Sequence, residues 1–244
     1  MTPNGEDLVN PGDDLAEESL AAILGDRRVQ SQPMLLSTAI TAAEWVRSGA
    51  PDGAVVVADY QISARGRAGR PWKMTPGHGL GFALVLRPEL ESDREGWLYA
   101  VILAALADTC GDGVTIEWPD EVQRDGVTVA LVGMDVRLGG LTIESAIANV
   151  LIVDAEPPRG ELLGSVLQAI NARIANPRRT LIDDYASLCS TIGRTVRMRL
   201  LGGTTRLAGK AVELADDGSL VVELREGRRV PVRPQDIASI EPVQ

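Results

Sequence analysis

The run WLYAVILAALADTCG (97–111) is apolar on nearly every side of the helix that its composition favours. A helix with no polar stripe has to be enclosed by other elements, so the rest of the chain must supply cover for it. The strand signals are strong. AVVVADY (54–60) follows Gly and Pro, LGFALVL (80–86) is a second buried strand, and VTIEWPDE begins a third that Pro119 ends. VTVALVGMDVRL and LTIESAIANVLIV are two more, joined by Gly139-Gly140 as a hairpin. Helical patterns alternate with them: Asp13 or Asp14 to Leu24, ending at Gly25; AITAAEWVRS after Ser37-Thr38; ELLGSVLQAINARIA (161–175); and TLIDDYASLC (180–189). Beyond Cys189 the texture changes to TVRMRLL, TRLAGKAVELA, SLVVELR and RRVPVR, with Asp217-Gly218 at one turn, which predicts a small β-barrel or sandwich. The class is α+β, a mixed sheet flanked by helices with a small C-terminal β-barrel.

With 244 residues, 45% of them apolar and 24% charged, the chain has enough length and apolar content for a real core. No apolar run approaches a membrane span, and the acidic start MTPNGEDLVNPGDD lacks the features of a signal peptide. A cytoplasmic location and no membrane partner are expected, with residues 1 to about 12 a mobile tail. The formal charge of -10 disfavours nucleic acid as a partner, and the first 30 residues are too few and too acidic for a DNA-reading module. Two cysteines and one histidine, Cys110, Cys189 and His78, cannot make a structural metal site. Of the 24 basic residues only Lys73 and Lys210 are lysines.

Chemistry concentrates between the two buried strands, in QISARGRAGRPWKMTPGHG (61–79), a loop with four glycines, two prolines and three arginines. In Arg65-Gly66-Arg67-Ala68-Gly69-Arg70 the glycines let backbone N–H groups approach an oxyanion, and the arginines offer forked donors for carboxylate or phosphate. Such a loop suits a lid that closes over a nucleotide. From spacing alone, a solvated basic loop on an acidic protein is the equal alternative. Trp118-Pro119 reads either as a packed strand end or as a ligand wall, Trp45 as core, and His78 as a solvated loop histidine.

The setting of the loop is more specific than the loop. A strand, Q-x-x-A-R-G-R-A-G-R-P-W, then P-G-H-G with a second strand, then E-W-P-D-E-V, together resemble the biotin protein ligase family within the biotin and lipoate ligase superfamily. The likeness runs from about residue 30 to 244, and TIGRTVRMRL through VPVRPQDIASIEP is its most similar part. After the acidic tail and short helix read over 1–28, it implies a ligase-like catalytic domain over 29–188 and an SH3-like β-domain over 189–244. It also implies biotin and MgATP as substrates, with biotinyl transfer to a lysine of the biotin carboxyl carrier domain of a carboxylase. Arg65, Arg67 and Arg70 would grip carboxylate and phosphates, with Lys73 as the nearby lysine. Ser37, Thr38, Gln61, Ala64 and Trp118 would contact biotin, and Gly66, Gly69, Trp72 and Asp120 the nucleotide. An exposed sheet edge would permit a homodimer.

Departures from the family pattern cluster in the site. Glu117 stands where the family has the lysine of K-W-P-N-D, and Thr128-Val129-Ala130-Leu131 fall on K-L-A-G, so that its lysine and glycine are lost. Ala39 replaces the asparagine of S-T-N, and Ala64 the first loop glycine. Losing one charge stabiliser of this kind costs roughly 3–4 kcal/mol of barrier. Two functions therefore stay open: an ATP-using ligase, and a ligase-like pseudoenzyme that binds a ligand or carrier without turnover.

Overall fold

The structure is a computed structural model that describes residues 13–156, 158–175, 178–202 and 206–243; the tail expected over residues 1–12 lies outside them. It divides into two units, Met1–Glu89 with Val129–Gln168 and Leu90–Thr128 with Ala169–Gln244. Elements are numbered in chain order.

In the first unit β1 (Val29–Leu35), β2 (Val55–Gln61), β3 (Leu80–Leu86), β6 (Val127–Gly139, from Val129) and β7 (Thr142–Ile152) lie in the order β1-β2-β3-β7-β6. Only β1 and β2 run parallel within this set, so the sheet is mixed. The apolar runs of β2 and β3 are buried almost throughout, as expected of strands covered on both faces. One face carries α2 (Thr38–Arg47), whose Ala39 and Ala42 pack with Val56, Ala83, Val85 and Ile147, with Trp45 and Val46 at the margin. Small residues on the helix let it approach the sheet closely. Asp59, three positions from Val56, belongs to the opposite face. There α1 (Glu17–Leu24) and the start of α4 (Arg159–Ala175) meet, and Arg159 binds both Asp14 and Asp59.

The second unit is built around α3 (Glu95–Thr109), in which every residue from Gly96 to Ala107 is buried. The enclosure predicted from its composition is therefore met, partly by α5 (Arg178–Leu188). β4 (Val114–Glu117) and β5 (Glu121–Arg124) pair antiparallel around a cis Trp118–Pro119 bond. β8 (Thr195–Leu200), β9 (Arg206–Leu214), β10 (Leu220–Glu223), β11 (Arg229–Val232) and β12 (Ile237–Pro242) form an antiparallel sheet in the order β11-β10-β9-β8-β12. The α+β class with a small SH3-like C-terminal sheet is what the sequence predicts. Strands β1, β5 and β12 are additions to that prediction. No helix among the described residues is long and apolar enough to cross a membrane.

Candidate active site

Ser37 occupies the N-cap position of α2 but makes no side-chain cap bond. The polar work there falls to Thr38, whose backbone N–H donates to Gln61 Oε1 at 2.9 Å. The Thr38 hydroxyl lies 3.0 Å from both Gln61 Oε1 and Asn149 Oδ1. It has one proton to give, and Asn149 Oδ1 is the acceptor that leaves every group served, because Gln61 Oε1 already receives the Thr38 N–H. Asn149 Nδ2 then donates to the Arg65 carbonyl at 2.6 Å. Thr38, Gln61 and Asn149 are all buried. This chain of amides pins the start of the arginine loop to α2, β2 and β7. A buried network has to be satisfied throughout to be stable.

The loop folds back on itself. Gly66 N–H donates to the Arg70 carbonyl at 2.9 Å, and Trp72 N–H donates to the Ala64 carbonyl at 2.9 Å. Arg67–Gly69 forms a single 3-10 turn, with Ala68 in the left-handed region at φ 53°. A non-glycine residue there stores strain of about 1 kcal/mol or more. Two glycines are required by contact: a Cβ on Gly66 would lie 2.3 Å from the Trp72 indole, and one on Gly133 would lie 3.0 Å from the Gly66 Cα. The loop backbone therefore rests directly on β6.

Together these elements wall a cavity of about 360 Å³ lined by Ser37, Ser63, Arg65, Arg67, Asp135 and Asn149, among others. Of the sequence-predicted positions, Ser37, Arg65, Gly66, Arg67 and Gly69 line it. Thr38 and Gln61 lie in the network behind the wall, and Ala64 is buried at the foot of the loop. Trp72 covers Gly66, Arg70 accepts from it, and Lys73 is exposed; none of the three lines the cavity. Arg65 Nη1 donates to the Gly69 carbonyl at 3.1 Å, which leaves the rest of its guanidinium toward solvent and cavity.

Several wall residues were missed by sequence reading. Asn149 and Asp135 sit inside strand-like runs, where a lone polar residue reads as a solvent-facing one. Gly133, two residues beyond Leu131, sets a glycine of β6 against the loop. Thr128 instead donates to Glu121 Oε2 at 2.8 Å, within the second unit. Burial pushes the Asp135 carboxyl up.

Trp118, Asp120 and Glu117 belong to the second unit. Trp118 is 1% exposed; its backbone N–H donates to Thr191 Oγ1 at 2.9 Å and its indole N–H to the Gly218 carbonyl at 3.2 Å. Within its unit it is a packed strand end, and Asp120 is buried beside it in sequence. Glu117 Oε2 accepts from Ser190 at 2.8 Å and pairs with Arg194 at 3.1 Å. His78 is exposed and lies 3.4 Å from Glu156.

Comparison with known proteins finds likenesses to one group of proteins in both sequence and fold. Residues 191–235 match the family model described as the biotin protein ligase C terminal domain. The chain is 27% identical to the bifunctional ligase/repressor BirA of Bacillus subtilis over 230 residues, 80% of this chain and 69% of the relative. It is 29% identical over 216 residues to the biotin--[acetyl-CoA-carboxylase] ligase of Mycobacterium tuberculosis, 78% of this chain and 80% of that protein. In fold it is similar to the biotin protein ligase from Aquifex aeolicus in complex with biotin and ATP, with a TM-score of 0.69, 22% identity, and coverage of 88% of this chain and 99% of that one. The chain is thus similar to biotin protein ligases in sequence over most of its length, and its fold is like theirs.

Proposed function

We propose that the chain is an ATP-dependent ligase that adenylates biotin and transfers the biotinyl group to a lysine of a carboxyl carrier domain. The observation that carries this reading is the cavity whose wall combines Ser37 and Asn149 with the folded-back arginine loop. Joining a carboxylate to a triphosphate requires two anions to approach, and preorganised donors do most of that work. Arg65 and Arg67 supply guanidinium donors at the cavity, and Arg70 stands at the end of the same turn. Magnesium arrives with ATP as part of the substrate. The Thr38–Gln61–Asn149 chain holds the loop in place before any ligand binds, and a loop resting on β6 keeps water from the mixed anhydride.

A second reading has its own support. Glu117 takes the place of a family lysine and is engaged by Ser190 and Arg194 as a structural carboxylate. That favours a pseudoenzyme that binds a ligand or carrier without adenylation. The test is intact-mass detection of biotin on a purified carboxyl-carrier domain incubated with this protein, biotin and MgATP. A mass gain that needs ATP supports the ligase. No gain, with the protein folded and an authentic ligase active alongside, supports the binding module.

A further inference from the structure

Strand β8 alternates along Thr195-Val196-Arg197-Met198-Arg199, with Val196 and Met198 buried and Arg197 and Arg199 exposed. Both arginines therefore stand on the outer face of the C-terminal sheet. Register decides what lies beside them. Arg199 pairs with Arg206 of β9 on one side and with Ser239 of β12 on the other, while Arg197 pairs with Glu241 of β12. Two guanidinium groups and a hydroxyl thus form one row across three strands, and Glu241 belongs to the neighbouring row.

All five of these residues line a single cavity of about 180 Å³. Like charges directly opposite each other on antiparallel strands cost stability, and Arg199 and Arg206 are such a pair. Elsewhere on the same sheet an arginine has its counter-charge: Arg229 pairs with Glu223 at 3.1 Å and Glu213 at 3.6 Å. No ion pair serves Arg197, Arg199 or Arg206 among the described residues. Glu241 is the one carboxylate lining the cavity and stands opposite Arg197, so three cations against one anion leave a local charge of +2. On a chain whose formal charge is -10, that is a reversal of sign confined to one face of one sheet.

The donors define the anion. Guanidinium forks grip oxyanions through paired hydrogen bonds, and a phosphate group offers three acceptor oxygens and about two charges. That matches two forks, a hydroxyl and the local charge. At about 30 Å³ per water, the cavity has the volume of roughly six waters, which suits one or two phosphate groups. We propose that the outer face of the C-terminal sheet binds a free phosphate-type oxyanion, phosphate or pyrophosphate, seated over Arg199 between Arg206 and Ser239. This site belongs to the second unit and does not depend on the biotin reading.

Pyrophosphate is titrated calorimetrically into the full chain at pH 7, in chloride buffer of fixed ionic strength that screens diffuse attraction, for the wild type, Arg199→Gln and Arg65→Gln. The expected result is a binding event that survives Arg65→Gln, which alters only the loop, and is weakened about tenfold or more in Arg199→Gln. Melting curves give a second reading. Without phosphate, Arg199→Gln should melt no lower than the wild type, because the like-charge pair is gone, and pyrophosphate should raise the melting temperature of the wild type more than that of the variant. Absence of binding to the wild type, an event unchanged in Arg199→Gln, loss in Arg65→Gln alone, or an Arg199→Gln chain that melts lower than the wild type in phosphate-free buffer overturns the proposal.

Discussion

Each unit contains one arginine that grips two aspartates, and the two constructions differ chiefly in burial. Arg159 is 1% exposed, with Asp14 at 3.1 Å and Asp59 at 2.6 Å. Arg173 binds Asp108 at 2.6 Å and also Asp184, but its aspartates are 39% and 46% exposed. In the first case burial opposes every charge. Burial would raise the Asp14 carboxyl, and the hydrogen bonds and charge of Arg159 outweigh it, holding that carboxyl below its usual range. In the second, the hydrogen bond to Asp108 leads in raising the Arg173 pKa, and water remains at hand to replace any lost partner. Identical chemistry is thus a keystone in one unit and a surface clasp in the other. The buried triad also sits two residues from the site, because Asp59 and Gln61 share β2.

The largest effect should follow from breaking the buried triad. Arg159→Ala strands two carboxylates under the sheet, and we expect a loss of about 3–5 kcal/mol, read as a fall in melting temperature. The pH dependence has a defined sign. Asp14 is held below its ordinary pKa, so its contribution is present above the unfolded value near 3.8 and is lost as pH falls through the lower folded value. The wild type should lose its advantage over Arg159→Ala as the solution is acidified below about pH 4.

Next in size is the amide chain behind the cavity. Asn149→Ala leaves the Arg65 carbonyl without its donor and removes the Thr38 acceptor, at a cost of about 1–3 kcal/mol. If Asn149 positions the loop, biotin affinity measured by calorimetry should fall further than stability does. A loss confined to stability would make the network a core feature only.

Arg173→Ala should cost no more than about 1 kcal/mol, and the deficit should shrink in high salt. A loss equal to that of Arg159→Ala would break the comparison, since burial would then not be the governing variable.

The same variable separates what the sequence made legible from what it hid. β2, β3, α3 and the β6–β7 hairpin are continuous apolar runs or carry turn glycines, so local pattern and tertiary burial agree. β1, VQSQPML, has no such pattern and becomes a strand because it pairs in parallel with β2 from Val29 to Leu35. β5 is four residues long and depends on the turn at Trp118–Pro119. The arginine loop stood out through its setting between two strands rather than through its spacing, and Thr38 and Gln61 stood out with it, whereas the other supports did not. Asp59, Asn149 and Arg159 are isolated polar residues whose partners are distant in sequence, up to 145 residues for Arg159 and Asp14. Only folding brings such pairs together.

Asp135 completes the series with the smallest effect and the opposite sign. Its folded-state pKa is raised by burial with no partner in return, so ionising it costs the folded state stability as pH rises above its unfolded value near 3.8. Because the side chain is open to solvent in the cavities, screening keeps that cost to a few tenths of a kcal/mol. Asp135→Asn should therefore melt slightly higher than the wild type at pH 7, and the difference should shrink as the pH approaches 4. Arg159 and Asp14 show what the fold does with a charge it needs for its own stability, which is to surround it with partners. Asp135, open to solvent and without a partner among the described residues, shows the contrasting case of a carboxylate whose ionised form slightly lowers stability. If Asp135→Asn instead melts lower at pH 7, the carboxylate is serving the fold, and burial is not what governs its contribution.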